Sequence, residues 1–156
     1  QVYGKAKVYD NAQVYGDAQV CGNAEIIGNA QIHDKASIFD NAHIFDNANV
    51  YDDAIVFGYA IIDDNSFIFG NAQVCGNAEI IGNAQISSIR DYIVCKNSWS
   101  SGQWFTWTRS NDKWRVGCFY GTGDELVKVA YKVNDENGRN YEMYVNFVKQ
   151  LNDGKN

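Results

Sequence analysis

The stretch Ala18-Gln19-Val20-Cys21-Gly22-Asn23-Ala24-Glu25-Ile26-Ile27-Gly28-Asn29-Ala30-Gln31-Ile32 decides the fold, and the same fifteen residues return as Ala72–Ile86. In each unit an aliphatic residue stands two places after Ala, and a Gly-Asn pair follows. The pattern extends in both directions: fifteen Val or Ile residues occupy every sixth position from Val2 to Ile86. Ala recurs four places after the aliphatic from Ala6 to Ala84, with Ser66 as the one substitution.

Successive side chains of a strand point to opposite faces, so Ala-x-Val-x predicts a four-residue strand with Ala and the aliphatic on one side. The Gly/Asp and Asn/Asp/Lys pair between units predicts a corner, because Gly, Asn and Asp tolerate the left-handed backbone that a tight turn needs. The chain contains no proline, so every backbone N–H can join a ladder. Short strands joined by tight corners predict a coil that stacks on its own neighbours.

On these residues the chain resembles the left-handed parallel β-helix family of hexapeptide-repeat proteins, over residues 1–89. That resemblance implies triangular coils of three units, about eighteen residues each. The two identical stretches lie 54 residues apart, a whole number of such coils, and belong on the same faces. About five coils at a strand spacing of about 4.8 Å give a prism about 24 Å tall.

Residues 90–156 follow another grammar, and Arg90 takes the column held elsewhere by Ala or Ser. A charged side chain does not fit a narrow interior, so the prism is expected to close there. Asp91–Lys96, Gln103–Arg109 and Lys113–Phe119 read as strands of a small antiparallel sheet, rich in aromatic and β-branched residues. Thr122-Gly123-Asp124-Glu125 fits a capping box ahead of Leu126, Val129, Ala130 and Val133 at helical spacing. The pattern resumes over 140–151 after a break predicted at Asn137-Gly138. The fold expected is mainly β, a left-handed parallel β-helix with a C-terminal α+β cap. A cap answers a physical need, since a bare solenoid end leaves strand edges open.

Charge is unevenly divided: eleven acidic and four basic residues up to Arg90, then eight acidic and nine basic. An acidic prism is poorly suited to a phosphate backbone, so no direct nucleic-acid binding is expected. No apolar run approaches membrane-spanning length, and no membrane association is expected. Cys21 and Cys75 share a column about 14 Å apart, too far to bridge. Cys95 and Cys118 lie in the cap, and free thiols in a reducing cytoplasm are the simpler expectation.

Family resemblance implies an alternative activity: acyl transfer from acyl-coenzyme A at a subunit interface, with a histidine as general base. His33 and His43 are the two histidines, both in outward columns on different faces. The repeat has no inserted loop to build an acceptor site, so catalysis is not the leading expectation, and two histidines do not complete a three-histidine zinc site. No cofactor or metal is expected. Asp34, Asp40, Asp46, Asp52, Asp53, Asp63 and Asp64 form an acidic belt, for which turn formation is the simplest reading and a cation or a nucleic-acid mimic the alternatives. Gly117–Gly123 lacks the lysine of a phosphate-binding loop and reads as a turn.

Two surfaces carry the remaining expectations. The column after each aliphatic is mostly apolar, and Tyr3, Phe39, Phe45, Tyr51, Phe57 and Phe69 predict an oligomer interface, a homotrimer as in the family or else a dimer. All four tryptophans fall within sixteen residues. Trp104, Trp107, Arg109, Trp114 and Arg115 are the candidate site for a host protein or a small planar anionic ligand, set against the reading that the aromatics form the core of the cap. The run Cys118-Phe119-Tyr120-Gly121-Thr122-Gly123-Asp124-Glu125-Leu126 is similar to the terminal module of hexapeptide-repeat proteins of bacteriophages and gut bacteria. The uninterrupted repeat and these two surfaces lead to the expectation of a non-catalytic oligomeric binding or scaffold protein of the cytoplasm. The likeness brings no established activity of its own and implies one form of that reading, a phage-encoded protein that interferes with a host defence system by occupying a protein or sequestering a nucleotide signal.

Overall fold

The structure is a computed structural model that describes residues 1–153. Two-residue strands begin with β1 (Lys7–Val8), β2 (Gln13–Val14) and β3 (Gln19–Val20) and recur every six residues to β13 (Glu79–Ile80) and β14 (Gln85–Ile86). They stack as three parallel sheets of five, five and four strands, and an isolated bridge from Val2 to Val20 extends the last. Lys7 pairs with Glu25, Glu25 with His43, His43 with Ile61 and Ile61 with Glu79, so one face carries every third unit of the repeat. The chain is therefore a parallel β-solenoid, mainly β, with a C-terminal cap.

The ladder-paired segment is two residues where alternation predicts four, and the corners explain the difference. Gly22 has φ +70° and Asp40 φ +60°, and the same left-handed conformation recurs at Asp34, Asp46, Asp52 and Asp64. Each such corner swings the chain onto the next face before a longer strand can form. At Gly22 the packing is also tight, because a Cβ there would stand 2.8 Å from the Asp40 nitrogen of the next coil.

Inside the prism Ala and Val/Ile alternate without a gap, and from Ala18 to Ile86 every one of these columns is fully buried. Ser66 is the polar exception, and its hydroxyl is satisfied by the Asp63 and Ile80 carbonyls at 2.7 and 3.3 Å. Stacking needs small residues at the corners of a narrow triangle and branched ones in the middle of each side, which is what the two columns supply.

In the stack, N–H groups bond to carbonyls of the following coil, as Lys7 does to Ala24 and Glu25 to Ala42. The last coil therefore ends with donors that no further coil can accept. The cap supplies side-chain oxygens instead: Cys75 N donates to the Tyr92 hydroxyl, Glu79 N to Thr106 Oγ1 and Gln85 N to Ser110 Oγ, at 3.4, 3.0 and 2.7 Å. These three donors lie on three different faces, so each sheet receives one closing acceptor.

The junction is a 3-10 turn, Ile89–Asp91, in which the Asp91 carboxylate accepts from the backbone and hydroxyl groups of Ser87 and Ser88. Burial pushes the Asp91 carboxyl upward, but these bonds outweigh it and hold it below the ordinary aspartate range. Arg90 is exposed here, as its charge requires. An antiparallel sheet follows, β15 (Tyr92–Lys96), β16 (Trp104–Thr108), β17 (Lys113–Val116) and β18 (Phe119–Gly121), the last being a short strand in addition to the three expected.

Helix α1 (Gly123–Val133) starts at the predicted capping box, with Thr122 N donating to Glu125 Oε2 at 2.8 Å and Glu125 N to Thr122 Oγ1 at 3.3 Å. Helix α2 spans Asp135–Asp153, so the break expected at Asn137-Gly138 falls earlier, at Asn134. The Asn134 side chain accepts from Asn137 N at 2.8 Å and starts the new helix. Gly138 is a contact residue, not a breaker: a Cβ there would come within 2.2 Å of the Tyr131 ring. No helix among the described residues is long and apolar enough to cross a membrane.

Candidate functional site

Alternation along β16 splits the tryptophan cluster. Phe105 and Trp107 turn inward and, with Trp114, Leu126, Tyr141, Val145 and Val148, form the core of the cap. Trp107 is 0% and Trp114 2% exposed, so neither side chain offers a surface, and the five-residue recognition platform expected from the sequence does not exist as a single face. The reason is energetic: a module of this size needs its large rings to bury enough apolar area. Trp107 Nε1 donates to Asp112 Oδ1 at 2.9 Å, which satisfies its polar edge.

Both arginines of the platform are also engaged. Arg115 Nε lies 2.8 Å from Glu79 Oε2, tying the cap to the solenoid, and Arg109 lies over Trp107 with one guanidinium nitrogen 3.9 Å from Asp91. Arg109 Nε is buried without a hydrogen-bond partner. Trp104 alone of the four ring positions on these strands keeps an open face, at 41% exposure, with Lys96 Nζ 5.7 Å from its ring centre.

That open ring overhangs a cleft of about 470 Å³ between cap and solenoid. Its floor is two files on three successive coils: Asn41, Tyr59 and Asn77 at a corner, and His43, Ile61 and Glu79 on the adjoining face. Gln103, Trp104 and Gly117 form the roof. The volume falls within the range of about 300–1,000 Å³ common to small-molecule sites.

Tyr59 is the signal in the sequence that points here. Its column, the second corner position, otherwise holds Asn, Asp or Lys, and Tyr59 is 64% exposed. Asn23 Nδ2 donates to Asn41 Oδ1 at 3.2 Å along this file, and Tyr59 interrupts the ladder on the next coil. In the outward column before each aliphatic, Ile55, Ile61 and Phe67 replace the usual polar residue over one turn, and Ile61 lines the cleft.

The two histidines differ. His33 is sandwiched between Tyr15 and Tyr51, with ring centres at 4.9 and 5.2 Å, and its two ring nitrogens each lie 3.0 Å from an oxygen, of Asp34 and Asn49. Both ring nitrogens are thus engaged by neighbouring side chains of the same chain. His43 stands on the cleft floor with Nδ1 3.7 Å from Glu25 Oε2, while Glu25 is bound to Lys7 at 2.7 Å and held below the ordinary glutamate range by that hydrogen bond.

The outward aromatics form files within the chain. Phe39 and Phe57 stack at 5.1 Å, and Tyr51 and Phe69 at 5.5 Å, close to the strand spacing. Phe45 is half-buried and Tyr3 is exposed. All four cysteines are free, and burial pushes the Cys95 thiol up.

In the acidic belt, Asp40, Asp52 and Asp64 each accept the N–H of the Gly one coil on, at 3.2, 3.0 and 2.9 Å. These are structural corners. Asp46, Asp63 and Asp64 bring carboxylate oxygens within 4.8 Å of one another. Burial, with repulsion from Asp46 and Asp64, pushes the Asp63 carboxyl up. Gly117–Gly123 is likewise structural: Gly117 turns the chain with φ +55°, and the start of α1 is closed by its own capping box.

Among known families, the YdcK beta solenoid repeat matches residues 18–34, which span the stretch Ala18–Ile32 that decides the fold. No curated protein and no solved structure matches the chain. The match agrees with the coil and says nothing of the cleft.

Proposed function

We propose that the chain is a non-catalytic binding protein whose ligand lies in the cleft between Tyr59 and Trp104. The observation that carries the reading is Tyr59, a largely exposed ring placed where the corner column elsewhere supplies Asn. Exposing such a ring and breaking a ladder brings the solenoid no stability, whereas a ligand covering it would. Equilibrating a bacterial small-molecule extract with the protein, followed by mass spectrometry, tests the reading. A compound enriched by the wild type and not by Tyr59→Asn is the expected result; no enrichment, or equal enrichment by both, contradicts it.

His43 on the same floor, with a carboxylate beside its Nδ1, favours a second reading as an acyltransferase-like enzyme. The lining offers no free Lys or Arg for the phosphates of coenzyme A, which weighs against it. Acetyl-coenzyme A turnover abolished by His43→Ala would establish this alternative. For assembly, a homotrimer covering the files of Tyr3, Phe39, Phe45, Tyr51, Phe57 and Phe69 is the proposal, and a monomer by light scattering at micromolar concentration overturns it.

A further inference from the structure

Resting on the cleft reading above, the geometry points to a neutral carbohydrate as the ligand class. Three features converge. The first is two aromatic faces, Tyr59 on the floor and Trp104 in the roof, at 64% and 41% exposure. A ligand that covers them needs an apolar face, and the axial C–H groups of a sugar ring provide one.

The second feature is the polar lining. Asn41, Asn77 and Gln103 are amides, which carry two N–H donors and a carbonyl acceptor side by side, the Asn41 carbonyl keeping one lone pair beyond its bond from Asn23. Adjacent sugar hydroxyls both donate and accept, so an amide answers them in pairs. A phosphate or carboxylate is acceptor-only and would leave the amide carbonyls facing negative charge.

Charge is the third. Glu79 is the acidic group of the lining, and Arg115 neutralises it at 2.8 Å. Glu25 lies beside His43 on the neighbouring coil of the same face and is itself neutralised by Lys7 at 2.7 Å. Lys96 lies against Trp104 and is not part of the cleft wall. The site is thus nearly neutral inside an acidic prism, which disfavours nucleotides and other polyanions. The lining also repeats along the stack, because Asn41, Tyr59 and Asn77 sit on successive coils about 4.8 Å apart. An extended oligosaccharide, laid along the prism axis, meets one such residue at nearly every unit.

The test titrates neutral tetrasaccharides of glucose, mannose, galactose and N-acetylglucosamine, with ATP and acetyl-coenzyme A as anionic probes, by Trp fluorescence and saturation-transfer NMR. At least one neutral glycan should bind, with an affinity that does not change with salt, because no ion pair forms. Tyr59→Asn and Trp104→Ala should each weaken it about tenfold or more, and Tyr59→Phe should retain it. Thermal melts of Tyr59→Asn should match the wild type, which separates lost recognition from lost fold. If an anionic probe binds in a Tyr59-dependent way and no glycan does, the carbohydrate assignment fails while the cleft stands. If a glycan binds equally to Tyr59→Asn, or nothing binds, both fail.

Discussion

Two corner files of the same solenoid behave differently. In one, Asn11, Asn29, Asn47 and Asn65 pass a side-chain hydrogen bond from coil to coil at 3.2, 3.2 and 3.4 Å, and Asn83 at its end meets Asn111 of the cap at 3.5 Å. In the other, Asn23 bonds to Asn41 and the ladder then stops at Tyr59, beneath the overhanging Trp104. Backbone, corner geometry and interior are the same in both. The difference teaches that in a repeat this regular, residues that obey the pattern carry the fold, and a residue that leaves it without structural gain marks a surface in use.

The interior is common to both files, so its removal should have the largest effect. Ile62→Ala, at a fully buried position beneath the cleft, should cost about 2–5 kcal/mol, read by chemical or thermal unfolding. A loss below 1 kcal/mol on the order expected for a surface site would contradict the packing described.

Next comes closure of the last coil. Thr106→Val keeps shape but removes the acceptor of Glu79 N, and should cost about 1–3 kcal/mol. Hydrogen exchange should quicken at Glu79 more than at Glu25, whose N–H keeps its backbone acceptor Ala42.

Smaller effects separate the two ladders directly. Asn47→Ala breaks both its ladder bonds and should cost on the order of 1 kcal/mol. Asn77→Ala, with no side-chain ladder bond among the described residues, should stay within about 0.5 kcal/mol while weakening ligand binding. Equal losses at the two sites would erase the distinction between the files.

Asp63 gives a pH-dependent check on the solenoid outside the cleft. Its folded pKa is raised, so the stability it contributes is full below the ordinary aspartate range and is lost as pH rises through the raised value. Asp63→Asn should therefore raise the melting temperature modestly at neutral pH and change nothing in acid below that range. The opposite sign holds for Glu125, whose pKa is lowered by its bonds to Thr122, and Glu125→Gln should destabilise at neutral pH and converge with the wild type in acid.

The solenoid was legible because its physics is local. Each Ala, each Val or Ile and each Gly or Asp at a corner states its own environment, and Asp40 or Asp64 reads as a turn residue from its place in the repeat alone. The candidate site was not legible in the same way. Tyr59 is visible as a departure from its column, but nothing within the repeat says that a cap ring lies above it. That placement depends on non-local contacts, Arg115 to Glu79 and Thr106 to the Glu79 backbone, between segments far apart in sequence. The tryptophan cluster misleads for a related reason: period-two alternation assigns Trp104 and Trp107 to opposite faces, and the side that the helices cover decides which ring is core. His33 shows a narrower limit: the eighteen-residue coil places Tyr15 and Tyr51 on either side of it, but not the contacts of its ring nitrogens with Asp34 and Asn49.

Tyr59→Asn tests the central claim most directly, because it restores the Asn ladder while removing the ring. Measured side by side with the wild type, thermal unfolding should be unchanged or slightly raised while binding of the cleft ligand falls about tenfold or more. A variant that loses stability yet binds as before would show Tyr59 to be a structural residue and would contradict the account.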